Sequence, residues 1–277
     1  MGVLSSALLQ EVMDLPEHEG IRLLLAAASA DRSWLLGNPV VAPDVADRLR
    51  AYAERRRNGE PLQYIEGTVQ FGPVEVAVDR RVLIPRPESE QLFEAAVEKL
   101  RPIPTPTVVD LGTGSGNLAL AIKHTVPEAR VVATDVSPDA VAVAKDNAEL
   151  LALSVELLEG DLFGALPPEL AGSVDLIVSN PPYVTRDECA LLPAEVADWE
   201  PGLALDGGAN GLDVLERIAA EARSWLRPGG WLMCEIGERH GPAVTHLFAA
   251  FRPEIHRDLA GRDRFLLGSA PMVGDLH

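Results

Sequence analysis

The chain has 277 residues, 47% hydrophobic and 24% charged, with a formal net charge of −18. That leaves room for one large domain, or a large and a small one, around a sizeable core. No run of 18 apolar residues occurs, acids rather than a basic leader mark the first 20 residues, and only two cysteines are present; a membrane span and a disulfide framework are excluded, a secretory signal is disfavoured, and a cytoplasmic location is expected.

Residues 1–60 carry −2 and the remainder −16. Such a surface repels phosphate backbones, so no direct nucleic-acid binding and no membrane association are expected. Residues 3–58 read as helical throughout. Ile21 to Ala28 is rich in helix formers. Pro43-Asp44 opens a second helix, Val45 to Arg57, which Asn58-Gly59 closes. The basic cluster Arg55-Arg56-Arg57 reads as a solvated helix end beside the favourable dipole terminus.

Residues 68–84 alternate instead. Thr68 to Phe71 and Val74 to Val78, separated by Gly72-Pro73, predict a β-hairpin. The stiff loop Ile84-Pro85-Arg86-Pro87-Glu88 leads into a helix over 89–100, and three prolines at 102, 104 and 106 mark a linker. Beyond it, strands are predicted at 107–112, 130–135, 155–160, 174–179, 230–236, 253–258 and 264–268. Helices are predicted at 116–125, 138–152, 211–226 and 241–251. This alternation argues an α/β fold, a mostly parallel sheet with helices on both faces. Cys234 lies in the apolar run Trp231-Leu232-Met233-Cys234 and is expected to be a buried thiol. The six histidines show no metal-ligand spacing, so no metal is expected.

The first strand of that alternating region ends Asp110-Leu111-Gly112-Thr113-Gly114-Ser115-Gly116. Glycines there permit a tight turn and bring a ligand against bare peptide groups at a helix N-terminus. The second strand ends in Asp135, an acid suited to the two hydroxyls of a ribose. The spacing lacks the last glycine of a dinucleotide loop and the lysine of a phosphate loop. Asp110, just before the first glycine, could bind an ammonium or order a water beside it. A nucleoside with an amino-acid tail, S-adenosylmethionine, fits that description better than a dinucleotide. The third strand ends near Asp161 and Leu162, where Asp161 could accept the adenine amino group or cap a helix, and Leu162 could cover the ring.

The fourth strand ends Ser179-Asn180-Pro181-Pro182-Tyr183. Two prolines stop the strand and stiffen its tip. In a doubly wound sheet that tip adjoins the glycine loop. The Asn180 side-chain oxygen and the Pro181 carbonyl are two acceptors suited to an –NH₂ group on a planar system, and Tyr183 offers a flat face. Holding both N–H bonds aims the nitrogen lone pair at a methyl carbon, and orientation of this kind contributes roughly 7–11 kcal/mol in the best intramolecular cases.

With these residues in view, the chain resembles the release factor glutamine methyltransferase family, class I enzymes that use S-adenosylmethionine. The resemblance covers nearly the whole chain. It rests on Arg57 to Gly67, Leu83 to Glu90, Asp110 to Gly116, Ser179 to Tyr183, and Glu200-Pro201 followed by Ala204-Leu205 and Gly207-Gly208. It implies a Rossmann-like domain over 89–277, with a seven-stranded, mostly parallel sheet and an antiparallel last strand. A helical substrate-docking domain over 1–67 and a hairpin and linker over 68–88 would precede it. It implies that Gly112 to Gly116 form the cofactor loop, that Asp135 holds the ribose, that Asn180, Pro181, Pro182 and Tyr183 hold the substrate glutamine, and that Arg86 and Glu88 line the pocket rim. The partner implied is a class 1 peptide-chain release factor, the product S-adenosylhomocysteine, and a monomer is expected. Amino-methylation of adenine or cytosine in nucleic acid is a second reading, and a catalytically silent binding protein on the same fold is a third.

Overall fold

The computed structural model describes residues 2–272. Met1 and residues 273–277, the outer ends of the first and last expected domains, lie outside the described residues. The chain divides into two compact units. The first comprises Met1–Thr68 and Pro193–Trp199, the second Val69–Leu192 and Glu200–His277.

Helices Ser5–Glu11, Glu17–Ala28, Pro43–Arg57 and Leu62–Glu66 build the first unit. Their apolar faces meet in a core that includes Leu8, Leu23, Leu24, Leu49 and Ala53. Pro43 sits in the first turn of its helix, where a missing N–H costs nothing, and Asp44 complements the dipole there. One expectation fails here. Strands β1 (Val3–Leu4) and β2 (Val40–Val41) pair antiparallel in a region read as wholly helical. Two residues per strand are too few to leave a period in the sequence.

The arginine cluster closes its helix at the favourable dipole terminus, as expected, and its guanidiniums are paired there with carboxylates. Arg55 Nε donates to Glu60 at 2.7 Å. Arg56 grips Glu19 through Nε at 2.7 Å and Nη2 at 2.9 Å, and reaches Glu195 at 3.0 Å. Arg57 pairs with Asp14 at 2.7 and 2.8 Å. Each guanidinium meets a carboxylate in the fork geometry that suits it.

The hairpin β3 (Thr68–Phe71) and β4 (Val74–Ala77), all but Thr68 in the second unit, is followed by the helix Ser89–Leu100. Then come β5 (Thr107–Leu111), β6 (Arg130–Asp135), β7 (Glu156–Glu159), β8 (Val174–Ser179), β9 (Leu226–Glu235), β10 (Glu254–Arg257) and β11 (Asp263–Ser269). Helices Asn117–Thr125, Pro138–Leu150, Asp213–Trp225 and Gly241–Leu247 connect them. The seven-stranded sheet runs β10-β11-β9-β8-β5-β6-β7, with β11 antiparallel to both neighbours and β5 to β9 parallel. This is the expected mostly parallel sheet with an antiparallel last strand.

All six residues of β8 are buried, as a central strand between two helical layers requires. Cys234 in β9 is fully buried, and burial pushes its thiol up to about 12. Cys189, at the end of the short helix Arg186–Cys189, keeps partial exposure. Two element boundaries shift by four residues from the sequence reading, the others by no more than two. The helix expected at 241–251 ends at Leu247 and continues only as the tighter turn Ala249–Phe251. The strand expected to start at 230 begins at Leu226.

Candidate functional site

β5 lies between β6 and β8, so the chain leaves β5 in one direction along the sheet and returns on its other side. Such a switch point opens a crevice at the carboxyl ends of the strands. A cavity of about 530 Å³ fills it, within the size range of cofactor sites. Gly112, Thr113, Gly114, Ser115, Asp135, Asp161, Leu162, Asn180, Pro181 and Pro182 all line it. The sheet thus brings four strand tips, far apart in sequence, around one space.

The glycine loop is held from below. Gly112 and Thr113 donate their N–H groups to the Thr134 carbonyl at 2.8 and 3.0 Å. Gly114 N–H donates to Asp135 Oδ2 at 2.9 Å. The second strand tip therefore fastens the loop of the first. Gly114 has φ +56°, and a Cβ built on it meets no protein atom within 4 Å, so a side chain there would enter the space the loop borders. Gly116 is glycine for a different reason. Its φ is +81°, and an added Cβ would stand 3.0 Å from Leu120 and 3.2 Å from Ala144.

Asp135 uses Oδ1 to accept the Ser137 N–H at 2.9 Å. Burial raises its pKa, and its backbone donors oppose the shift. A carboxylate has about four lone-pair sites, so it keeps acceptor capacity toward the cavity. Asp161 forms an ion pair with Arg217 at 2.7 Å, and its side chain makes no capping hydrogen bond. Leu162 adopts φ +49° with little exposure, and its carbonyl accepts the Thr134 hydroxyl at 3.1 Å. Its side chain belongs to the cavity wall.

Five of the candidate residues stand elsewhere. Gly116 packs away from the cavity. Asp110 is buried behind the glycine loop, with Oδ2 accepting the Thr113 hydroxyl at 2.7 Å. Burial pushes its pKa up to about 7 against the pull of Thr113. Arg86 is committed to Glu200 at 2.7 Å, and Glu88 lies 3.9 Å from Arg262; neither lines the cavity. Tyr183 also stands outside the wall. Its hydroxyl donates to Glu235 Oε1 at 2.8 Å.

The Asn180-Pro181-Pro182-Tyr183 turn is braced from both sides. The Ser179 hydroxyl donates to the Leu111 carbonyl at 2.7 Å, tying β8 to β5. Val184 pairs with the segment 205–207: its N–H donates to the Leu205 carbonyl at 3.0 Å, and its carbonyl accepts the Gly207 N–H at 2.8 Å. A Cβ on Gly207 would approach the Pro182 carbonyl to 2.8 Å, so only glycine lets the two backbones pass so closely. Asn180 Nδ2 faces Ser89 Oγ at 3.4 Å, and among the described residues nothing donates to Asn180 Oδ1 or to the Pro181 carbonyl. Two unspent acceptors therefore sit on cavity-lining residues beside the glycine loop.

Residues given no site role in the sequence reading complete the site. Arg80, Arg81, Leu203 and Arg217 line the cavity, and Ser89, Glu235 and Arg264 lie beneath the proline turn. Ser89 falls within the segment Leu83 to Glu90, and no motif marks the others, because each reaches the site through tertiary packing. Among the described residues, no three His, Cys, Asp or Glu side chains gather as a metal site, and no helix is long and apolar enough to cross a membrane. The cradle fits S-adenosylmethionine: bare glycine backbone, an acid with spare lone pairs and an apolar wall share one cavity.

Comparison with known proteins agrees in both units. The PrmC N-terminal domain model matches residues 4–67 and the Methyltransferase small domain model matches residues 91–194. Release factor glutamine methyltransferase from Deinococcus radiodurans is 40% identical over 255 residues, covering 91% of this chain and 90% of its own length. The protein of that name from Moorella thermoacetica is 43% identical over 263 residues, covering 92% of each. Among solved structures, a methyltransferase from Pyrococcus furiosus shares the fold at a TM-score of 0.53 and 19% identity, over 72% of this chain and 89% of its own. A glycine loop, a strand-tip acid and an Asn-Pro-Pro-Tyr turn around one cavity could serve several amino-methylating enzymes, but near-full-length identity of this order goes further. The chain belongs to the release factor glutamine methyltransferase family.

Proposed function

We propose that this chain methylates the side-chain amide nitrogen of the glutamine in the Gly-Gly-Gln loop of class 1 peptide-chain release factors. The observation that carries the reading is the pair of unspent acceptors, Asn180 Oδ1 and the Pro181 carbonyl, beside a glycine-lined cavity. A primary amide presents two N–H donors in one plane, and two fixed acceptors match them.

Gly112 to Ser115 and Asp135 would hold the nucleoside and its tail, and Leu162 would cover the adenine. When bound, S-adenosylmethionine supplies a methyl group on a positively charged sulfur. The chain's own part is orientation. An amide nitrogen is a weak nucleophile because its lone pair is delocalised. Asn180 and Pro181 draw both N–H bonds into one direction and leave the lone pair pointing the other way. They also stabilise the positive charge that grows on nitrogen as the N–C bond forms. The surplus proton leaves to solvent after transfer, so no general base is needed.

The acidic surface, −18 overall, suits a protein substrate better than a nucleic acid. Intact-mass spectrometry of a purified class 1 release factor, incubated with this protein and S-adenosylmethionine, tests the reading. One added methyl is expected, and none on a factor with the loop glutamine replaced by alanine or on a DNA control. Labelling of the DNA, or of the substituted factor, overturns it.

A further inference from the structure

Beneath the Asn-Pro-Pro-Tyr turn runs a buried chain of polar groups that no cavity contact requires. Arg264 Nη1 lies 3.3 Å from the Tyr183 hydroxyl. That hydroxyl lies 2.8 Å from Glu235 Oε1, the Ser89 hydroxyl contacts Glu235 Oε2, and Asn180 Nδ2 lies 3.4 Å from Ser89 Oγ. Ser89 and Glu235 are each only 1% exposed.

Read from the arginine end, the chain has one direction of donation. A guanidinium has no acceptor, so Arg264 donates to Tyr183. Tyr183 has one proton, and it goes to Glu235. An ionised carboxylate only accepts, so Ser89 spends its single proton on the other oxygen. Ser89 Oγ then offers nothing but lone pairs to Asn180. Only the NH₂ end of the Asn180 amide satisfies it; the oxygen end would set lone pair against lone pair. Burial, with Glu88, raises the Glu235 pKa overall, and the hydrogen bonds from Ser89 and Tyr183 and the charge of Arg264 oppose that rise; the two hydroxyls donating to its two oxygens are the arrangement of a carboxylate that only accepts.

This ordering matters because a side-chain amide has two ends of nearly equal size. An inverted Asn180 would point donors at the donors of the target amide. We propose that Ser89 and Glu235 are positioning residues: they lock the Asn180 amide with its oxygen toward the cavity, where it can accept from the substrate N–H. The inference rests on the proposed function, since the orientation has a purpose only if the target brings N–H groups. The Ser89 contact is long, as such bonds often are before substrate tightens them.

The test is Ser89→Ala, with Glu235→Gln as a second variant that keeps size but brings a donor into the chain. Each should lower kcat about ten-fold or more, while the S-adenosylhomocysteine Kd stays within about two-fold, because the lock serves the reacting amide alone. An unchanged kcat in Ser89→Ala, or an equal loss of cofactor affinity, overturns the lock. A readout independent of turnover is proton exchange of the Asn180 side-chain amide in ¹H–¹⁵N spectra. It should be slow in the native protein and faster in Ser89→Ala; equal rates overturn the inference. If the native protein fails to methylate the factor, the proposed function falls, and the exchange comparison still decides the lock.

Discussion

Asn147 Nδ2 donates to the Ser115 carbonyl at 2.9 Å, and the same amide clasps Ala77, accepting its N–H at 2.7 Å and donating to its carbonyl at 3.0 Å. One buried side chain on the helix Pro138–Leu150 thereby joins the hairpin to the glycine loop. Every polar atom of the amide is used. Asn147→Ala should therefore leave three backbone groups short of a partner and cost about 1–3 kcal/mol per unsatisfied group at most. The expected result is a melting point lower by several degrees and weaker S-adenosylhomocysteine binding, read by thermal unfolding and calorimetric titration. Unchanged binding would show that the glycine loop holds its shape without the clasp.

Asp135→Ala removes both the Gly114 tie and the Ser137 contact. Cofactor affinity should drop by about ten-fold or more, the order expected for losing a charge-assisted hydrogen bond or two. At saturating cofactor, kcat should recover most of its native value. Equilibrium dialysis with labelled cofactor separates the two quantities.

Asn180→Ala is expected to do the reverse. The rate should fall by about a hundred-fold or more, as when a transition-state hydrogen-bond partner is lost, with cofactor affinity little changed. Single-turnover kinetics with a release factor would show it. A parallel loss of cofactor binding would move Asn180 from the substrate to the cofactor.

Asp110 links the site to pH. Its folded-state pKa of about 7 lies above the ordinary 3.8 because burial disfavours the charge. Between those values the folded chain keeps a proton that the unfolded chain has released. Its contribution to stability is therefore full below about 4 and is lost as pH rises through about 7. Asp110→Asn cannot titrate. The melting point of the native protein minus that of the variant should decline across this window by an amount reflecting a few kcal/mol. A difference that stays flat from pH 5 to 8 would show that Asp110 is ionised throughout.

Much of this was readable in the linear sequence because it is written locally. β6 and β8 occupy the predicted 130–135 and 174–179, since β-branched runs there are punctuated by an acid or a proline pair. The glycine loop and Asp135 declare themselves by spacing along one βαβ unit. What stayed hidden depends on partners distant in sequence. Ser89 and Glu235 lie 146 positions apart, and although Ser89 falls within the segment Leu83 to Glu90, nothing in that segment points to Glu235. The arginine cluster looked free because Asp14 and Glu19 lie 43 and 37 positions away. Asp110 looked like a cavity residue because it precedes the first glycine, yet a strand alternates its side chains, and this one turns behind the loop.

The burial of Cys234 in β9 has a practical side. A thiol whose pKa burial pushes up to about 12, fully buried in an inner strand, is invisible to alkylating dyes in the native protein. Cys189 remains partly accessible, although burial and the neighbouring Asp206 and Glu188 raise its pKa and will slow the coupling. The chain as nature wrote it is thus addressable at a single sulfur, six positions beyond Tyr183. A fluorophore there would sit just downstream of the Asn-Pro-Pro-Tyr turn, ready to register a partner's arrival without any engineered residue.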